Sequence, residues 1–176
     1  MKLCMFSPKD PFLDRGWPGR IDGDRVIQLA AQTLQAFFTG GGQAREHAEF
    51  PLSEVVFRAP VLHPPSIRIF DETGDFVFAN PAAIKPAGED PGVPGAEGAE
   101  RVAGIIGADG AIGGFTPLVE WVAPQLRGEK QRDFALTFGP FVTTPDEGVP
   151  PGVDWDLLVS QAAENTTLYP GDLIVR

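Results

Sequence analysis

The sequence has very little cysteine and histidine: Cys4 is its only cysteine, and two histidines occur among 176 residues. A single cysteine cannot form an internal disulfide, and no cluster of cysteine and histidine has the spacing of a zinc site. The sequence also lacks a run of eighteen apolar residues and the apolar core of a signal peptide. We therefore expect a cytoplasmic protein that does not cross a membrane.

Basic residues are also scarce. The chain has 14 lysines and arginines against 24 acidic residues, and its formal net charge is -10. Such a charge repels the phosphate backbone of nucleic acids and the surface of anionic lipids. We expect no nucleic acid and no membrane among the partners.

Glycine and proline, in contrast, are abundant, with 21 and 18 residues and no fixed repeat. This abundance prevents long helices and favours short strands joined by turns. With 43% hydrophobic residues the chain can still bury a core. The composition predicts a compact unit that is mainly β.

The N-terminal part has the pattern of a hairpin followed by one helix. Met1 to Phe6 and Gly19 to Leu29 are typical of strands, the second turning at Asp22-Gly23. Apolar residues from Gln28 to Phe38 recur at helical spacing, and Gly40 follows at a C-cap position. A strand over Glu54 to Arg58 then precedes a proline-rich connector. We place a boundary there, between a small N-terminal domain of residues 1–59 and a second domain of residues 60–176.

The second domain alternates short apolar runs with turns, which predicts a β-rich structure. The runs are Phe76 to Phe78, Val102 to Ile106, Ala111 to Phe115, Phe134 to Thr143 and Leu168 to Val175. Residues 85–98 hold prolines, glycines and acids and predict a surface loop. One helix is expected to begin with Thr116 as N-cap and Pro117 at its first position, and to end near Pro124.

Four phrases, in order along the chain, resemble the fumarylacetoacetate hydrolase family. They are Ala59-Pro60-Val61-Leu62-His63-Pro64-Pro65-Ser66-Ile67-Arg68, Asn80-Pro81-Ala82-Ala83-Ile84, Gly139-Pro140-Phe141-Val142-Thr143-Thr144-Pro145-Asp146-Glu147 and Leu168-Tyr169-Pro170-Gly171-Asp172-Leu173-Ile174. Each phrase alone is a common turn sequence. The resemblance extends over almost the entire chain.

The resemblance implies a mainly β (α+β) fold, in which a β-roll-like catalytic domain follows a small N-terminal domain, usually in a dimer. It also implies a divalent metal such as magnesium or calcium and reactions that cleave, isomerise or decarboxylate small oxo acids. In the family the metal binds two substrate oxygens and stabilises enolate-like charge. Hard cations of this kind require several carboxylate ligands.

The family positions for these ligands carry other side chains here. Ile69 lies where the first aspartate is expected, with Asp71 and Glu72 just beyond, and the family segment with the catalytic histidine is missing. Matching the strand that ends Ile106-Gly107 places Ala99 and Arg101 where paired glutamates belong. Only Glu120, at the last ligand position, is a carboxylate, so we expect no metal and no other cofactor.

Two arginines suggest a metal-free site. A family lysine that helps to hold the substrate corresponds to Arg132, which keeps the charge but changes the geometry. Our hypothesis is that Arg101 takes the place of the cation, pairing with Glu120 or binding a carboxylate ligand together with Arg132. The structural alternative is a buried ion pair without a ligand, or an arginine that extends to the surface.

Three functions stay open at the sequence level. The chain can bind a small oxo acid or β-dicarbonyl ligand or partner a complete family member. It can instead be a metal-independent isomerase, decarboxylase or cyclase that uses Glu120, Arg101 and Arg132. The third possibility is a hydrolase whose metal site is rebuilt from Asp71, Glu72 and Glu120. Because the sequence stops where the family continues into closing strands, we expect unpaired strand edges and a homodimer or heteromer.

Overall fold

The structure, a computed structural model, describes the whole chain from Met1 to Arg176 as thirteen strands and two α-helices. The strands are β1 (Lys2–Pro8), β2 (Trp17–Asp22), β3 (Arg25–Leu29), β4 (Glu46–Pro51), β5 (Val55–Arg58), β6 (Ile67–Phe70), β7 (Phe76–Phe78), β8 (Ile84–Lys85), β9 (Glu97–Ile106), β10 (Ile112–Val122), β11 (Leu136–Phe138), β12 (Phe141–Thr143) and β13 (Leu173–Val175). The helices are α1 (Leu34–Thr39) and α2 (Trp155–Ala162). The predicted mainly β fold is confirmed. Neither helix is long and apolar enough to span a membrane.

All thirteen strands belong to one sheet. Its main path runs β4-β3-β2-β1-β12-β10-β9-β13-β6-β7, while β5 pairs with β1, β11 with β10, and β8 with β11. Strand β1 pairs with β2 and β5 from the N-terminal region and with β12 from the C-terminal region. The sheet is therefore continuous across the boundary that we predict between residues 59 and 60.

The predicted hairpin is present as β2 and β3. These strands are antiparallel, and Asp22 lies opposite Arg25 across a two-residue turn. Gly23 has a φ of +57° in this turn, a conformation that glycine adopts without steric cost.

Helix α1 begins later than the sequence pattern indicates. Gln28 and Leu29 belong to β3, and the helix starts at Leu34, after Thr33. The Thr33 side chain accepts a hydrogen bond of 3.0 Å from the backbone N–H of Ala36, as an N-cap does. The predicted start of the helix was wrong. Gln28 and Leu29 fit the helical spacing, but they belong to β3, which pairs with β2 and β4. The end of the helix at Gly40 is confirmed.

The predicted helix from Thr116 to Pro124 is wrong, because residues 112–122 form strand β10. Pro117 lies opposite Val102 of β9. The N–H and C=O groups of Val102 instead bond to the backbone of Arg176, at 2.8 and 2.9 Å. The missing N–H of Pro117 therefore breaks no hydrogen bond between the strands. Aromatic and β-branched neighbours also favour the strand.

Helix α2 is absent from the sequence-based prediction. The Asp154 carboxylate caps it by accepting a 3.0 Å hydrogen bond from the Leu157 N–H. Its buried residues are Trp155, Leu158 and Ala162, spaced at i, i+3 and i+7. This spacing after an aspartate was the available signal. The helix packs on the sheet, with the rings of Trp155 and Phe115 5.0 Å apart.

Alternate residues of β6 and β13 supply two of the three hydrophobic cores. Ile69 and Val175 belong to the largest core, whereas their neighbours Phe70 and Ile174 belong to the core beneath α2. This alternation is the expected result of a strand whose two faces are both covered. Burying a large apolar side chain contributes about 1.5–3 kcal/mol. The larger core has 17 buried residues from both the N-terminal and C-terminal regions, so it links the two halves of the chain.

Candidate functional site

The pairing of β9 with β10 sets the position of the candidate site. Leu118 lies opposite Arg101, and Glu120 lies opposite Ala99. Residues that face each other across antiparallel strands share one face of the sheet, and diagonal neighbours on that face are within reach of long side chains. Arg101 and Glu120 therefore extend from the same face, where Leu118 enters the largest core.

The structure brings together three of the residues proposed from the sequence: Arg101, Glu120 and Arg132. The Glu120 side chain is 1% exposed. Arg101 Nη2 lies 3.2 Å from Glu120 Oε2, and Arg101 Nε donates to the same oxygen at 3.3 Å. Arg132 Nη2 lies 3.1 Å from the other oxygen, Oε1. A buried carboxylate is thus held between two guanidinium groups.

The turn between β10 and β11 carries Arg132 to this position. The N–H of Ala123 donates to the carbonyl of Gln131 at 2.7 Å, which closes the turn. Strand β11 then returns alongside β10, with Leu136 opposite Glu120. Arg132 lies four residues before Leu136, so the reversal of the chain places its side chain beside Glu120.

The ion-pair cluster still has unused hydrogen-bonding groups. Glu120 Oε1 is buried and accepts no hydrogen bond, because the contact with Arg132 satisfies the distance of an ion pair but not the geometry of a hydrogen bond. Arg101 Nη1 and Arg132 Nε and Nη1 donate to no protein group. The arginine side chains are 31% and 40% exposed, so both are partly open to solvent. With two cations and one anion, the cluster carries one net positive charge.

The donor set does not fit the divalent metal that the resemblance implies. At the positions that the resemblance assigns to metal ligands, Ala99 and Ile69 offer no side-chain ligand and Arg101 brings a positive charge, whereas a hard cation requires carboxylates. The one carboxylate, Glu120, has both oxygens directed at arginines. No group of three or more histidine, cysteine, aspartate or glutamate side chains in the structure is arranged to hold a metal ion.

Asp71 and Glu72 do not join Glu120 in such a group. Both are exposed at the turn between β6 and β7, and the strands β9 and β13 lie between β10 and β6 in the sheet. Asp71 Oδ1 accepts hydrogen bonds from the Thr73 hydroxyl and from the backbone N–H groups of Thr73 and Asp75. The bond from the Thr73 hydroxyl is the largest cause of a lowered pKa for Asp71. Its carboxylate thus stabilises its own turn.

The largest cavity, of about 660 Å³, borders Arg101 but not Glu120 or Arg132. Residues 100–102 of β9, 117–119 of β10, and 137 and 138 of β11 line it, together with Ala87, Gly88, Gly139 and Arg176. No sequence pattern predicts this cavity, because segments far apart in the chain meet only in the folded sheet. Arg176, which no sequence motif indicates as a site residue, adds a second guanidinium group to its wall.

Comparisons with known proteins identify the fold. A scan of protein-family models and a search of curated proteins find no match. Among solved structures, maleylpyruvate hydrolase from Sphingobium sp. SYK-6 is similar, with a TM-score of 0.75 and 22% identity over 99% of this chain and 87% of that chain. The 2-hydroxyhepta-2,4-diene-1,7-dioate isomerase from Mycobacterium marinum gives a TM-score of 0.70 and 18% identity over 99% and 86% of the chains. A 2-keto-3-deoxy-D-arabinonate dehydratase gives a TM-score of 0.72 and 13% identity, also over 99% and 86%.

These structures share one architecture over nearly the whole length of the chain. The protein therefore has the fumarylacetoacetate hydrolase-like fold that its four sequence phrases predict. The proteins with this fold named above are a hydrolase, an isomerase and a dehydratase. At these identities the likeness establishes the fold, and the chemistry has to be argued from the residues of the site.

Proposed function

We propose that the protein binds a small carboxylate, an oxo acid or a β-dicarbonyl compound, at Arg101 and Arg132 without a divalent metal. The observation that carries the proposal is the buried Glu120 carboxylate, paired with two arginines whose side chains are partly exposed and keep unused N–H groups. A ligand carboxylate can accept from these groups, and hydrogen bonds between charged groups are the strong ones. The net positive charge of the cluster favours an anion.

The proteins of the same fold support this class of ligand. The maleylpyruvate hydrolase structure includes a complex with manganese(II) and pyruvate, and the dehydratase structure includes a complex with magnesium and 2,5-dioxopentanoate. The sequence resemblance aligns Arg101 with a position where the family carries an acidic metal ligand. A guanidinium group there supplies positive charge to a carboxylate without the need for a metal ion.

The proposal can be tested by titration calorimetry on protein treated with a chelator and then dialysed. We expect no heat of binding with magnesium, calcium or manganese, and binding of pyruvate that also raises the thermal midpoint. Arg101→Met should weaken pyruvate binding at least tenfold, since a hydrogen bond to a charged group contributes roughly 1.5–3 kcal/mol and about 1.4 kcal/mol corresponds to a factor of ten.

A matched control is Arg127→Met, because Arg127 is exposed and forms no ion pair in the structure. Pyruvate affinity should be unchanged in this variant. Micromolar binding of a metal ion would overturn the proposal. Equal pyruvate affinity in the Arg101→Met variant, or no binding of pyruvate by the unmodified protein, would overturn it too, and would favour a structural ion pair.

A second candidate is a metal-independent enzyme acting at the same place. It is favoured by Glu120 Oε1, a buried carboxylate oxygen that accepts no hydrogen bond. In an isomerase of this type, Glu120 would take a proton from the carbon next to a ligand carbonyl and return it to another carbon, while the arginines stabilise the enolate oxygen. In a decarboxylase, release of carbon dioxide would leave the same enolate, and the arginines would stabilise it until it is protonated. This candidate requires a ligand of the same class as the binding proposal, and it adds a proton-transfer step.

A further inference from the structure

Strand β7 forms one end of the sheet. It pairs only with β6, in antiparallel register, with Arg68 opposite Phe78, Ile69 opposite Val77 and Phe70 opposite Phe76. On its other side no strand follows. Strand edges of this kind offer unpaired backbone groups to another chain.

The hydrogen bonds beside β7 show which backbone groups are free. The Ala79 N–H donates to the Ile67 carbonyl at 3.0 Å, and the Asp71 N–H donates to the Asp75 carbonyl at 2.8 Å. Hydrogen-bonded and non-hydrogen-bonded pairs alternate along antiparallel strands, so Val77 directs its N–H and C=O groups at β6. Phe76 and Phe78 therefore direct theirs away from the sheet, which leaves two donors and two acceptors unpaired.

The side chains of β7 are apolar and exposed. Phe76, Val77 and Phe78 are 36%, 46% and 64% exposed. The two phenyl rings lie 5.5 Å apart, and the buried Arg68 guanidinium lies 5.8 and 5.3 Å from their centres. Contact with Arg68 holds the rings on one face of the strand. Three consecutive large apolar residues at an open edge are typical of a surface that another chain covers.

We infer that a second copy of this chain covers the edge, by antiparallel pairing of β7 with its own equivalent. The segment Phe76-Val77-Phe78 reads the same in both directions, so a two-fold axis at Val77 places Phe76 opposite Phe78 of the second copy. The two pairs then exchange four hydrogen bonds, which satisfy all four free backbone groups. Such a contact is self-complementary and closes as a dimer, and aromatic rings meet across the new strand pair.

The distribution of charge agrees with this register. Each chain has a net charge of -10, and the turn before β7 carries Asp71, Glu72 and Asp75. In the antiparallel pairing Asp75 lies opposite Ala79 of the second copy, and the turn continues beside Asn80 and the prolyl segment that follows. Acidic turns of the two copies are thus at opposite ends of the contact, and each faces an uncharged segment.

Cross-linking by a single cysteine provides a direct test. Val77 would face its equivalent as a non-hydrogen-bonded pair, with Cα atoms about 4.5 Å apart, which lies within the range of roughly 4.4–6.8 Å that a disulfide spans. A Val77→Cys variant should form a disulfide-linked dimer under mild oxidation, seen on a non-reducing gel. The native Cys4 does not interfere, since it is fully buried and burial raises the pKa of its thiol to about 12.

The matched control is Val149→Cys, whose side chain is also exposed, at 54%, but lies outside β7. It should remain monomeric on the gel, apart from slow random cross-linking. Equal rates of cross-linking in the two variants would overturn the inference.

Sedimentation velocity of the unmodified protein gives an independent measurement. We expect a species of twice the 18.8 kDa chain mass that dissociates on dilution. Phe78→Pro should abolish it while preserving the fold, because the Phe78 N–H points away from β6 and proline is tolerated at strand edges. Phe78→Asp should do the same by adding charge, and Phe78→Tyr should keep the dimer. A monomer at all concentrations, or a dimer that persists in both disruptive variants, would contradict the inference.

Discussion

Glu120 is the residue whose surroundings say most about the chemistry of the site. A carboxylate that is 1% exposed is costly to bury, and the two arginines at 3.1 and 3.2 Å offset that cost. Because Oε1 accepts no hydrogen bond, we test Glu120 as a base as well as an ion-pair partner. Exchange of a ligand proton with solvent distinguishes catalysis by Glu120 from binding alone.

If Glu120 acts as a base, the protein should speed the exchange of pyruvate methyl protons with deuterium in heavy water, measured by NMR. Glu120→Gln should lower the exchange rate by roughly a hundredfold or more, because general-base catalysis contributes about 10²–10⁴. Glu97→Gln, at an exposed residue of β9, should have no effect. If pyruvate binds but its methyl protons do not exchange, the enzymatic candidate is contradicted and ligand binding remains the proposed function.

The residues of the site were only partly predictable. The placement of Arg101 and Glu120 follows from the register of two neighbouring strands, and strand alternation fixes which side chains share a face. The contact with Arg132 depends on a turn whose closure the sequence does not reveal. Asp71 and Glu72 are near Ile69 in sequence, but the order of strands in the sheet keeps them away from Glu120, and this order is a property of the whole fold.

At the scale of single elements, local patterns failed where distant pairing decided the structure. Thr116-Pro117 has the sequence of a helix start, yet the residues continue a long strand. Pro117 is tolerated there because Val102, which lies opposite, bonds to Arg176 instead. Helix α2 shows the opposite case. Its signal is local, in Asp154 and the spacing of three apolar residues, although glycines and prolines surround it in the sequence.

The cap of α2 gives a testable prediction at this scale. Asp154→Ala should destabilise the protein by about 1 kcal/mol, because the Leu157 N–H loses its acceptor. For a chain of this size that corresponds to a fall in thermal midpoint of about 2–4 °C. Urea unfolding should show a lower midpoint with an unchanged slope. Asp154→Asn retains an oxygen that can accept the bond and should be nearly neutral, and equal losses in both variants would exclude the cap as the cause.

For the whole molecule, the composition and four short phrases were sufficient to predict a mainly β, fumarylacetoacetate hydrolase-like fold. The abundant glycines and prolines mark the turns between short strands. They were not sufficient to show how the two predicted domains combine. Strand β1 joins the two predicted domains, because it pairs with β2 and β5 of the N-terminal region and with β12 of the C-terminal region. The largest core likewise mixes Leu3 and Met5 with Leu118 and Val142.

A shared sheet and a shared core should make residues 1–59 and 60–176 unfold together. Amide hydrogen exchange, followed by NMR in increasing urea, measures the free energy that opens each strand. We expect the slowest amides of β1 to β3 and those of β9, β10 and β13 to report the same free energy, equal to that of global unfolding. Exposing β1 alone would break its pairing with β12 and open the largest core, so no partial unfolding of the N-terminal region should be cheaper. Exchange of the β2 and β3 amides through an opening of clearly lower free energy would instead show two separately folding domains.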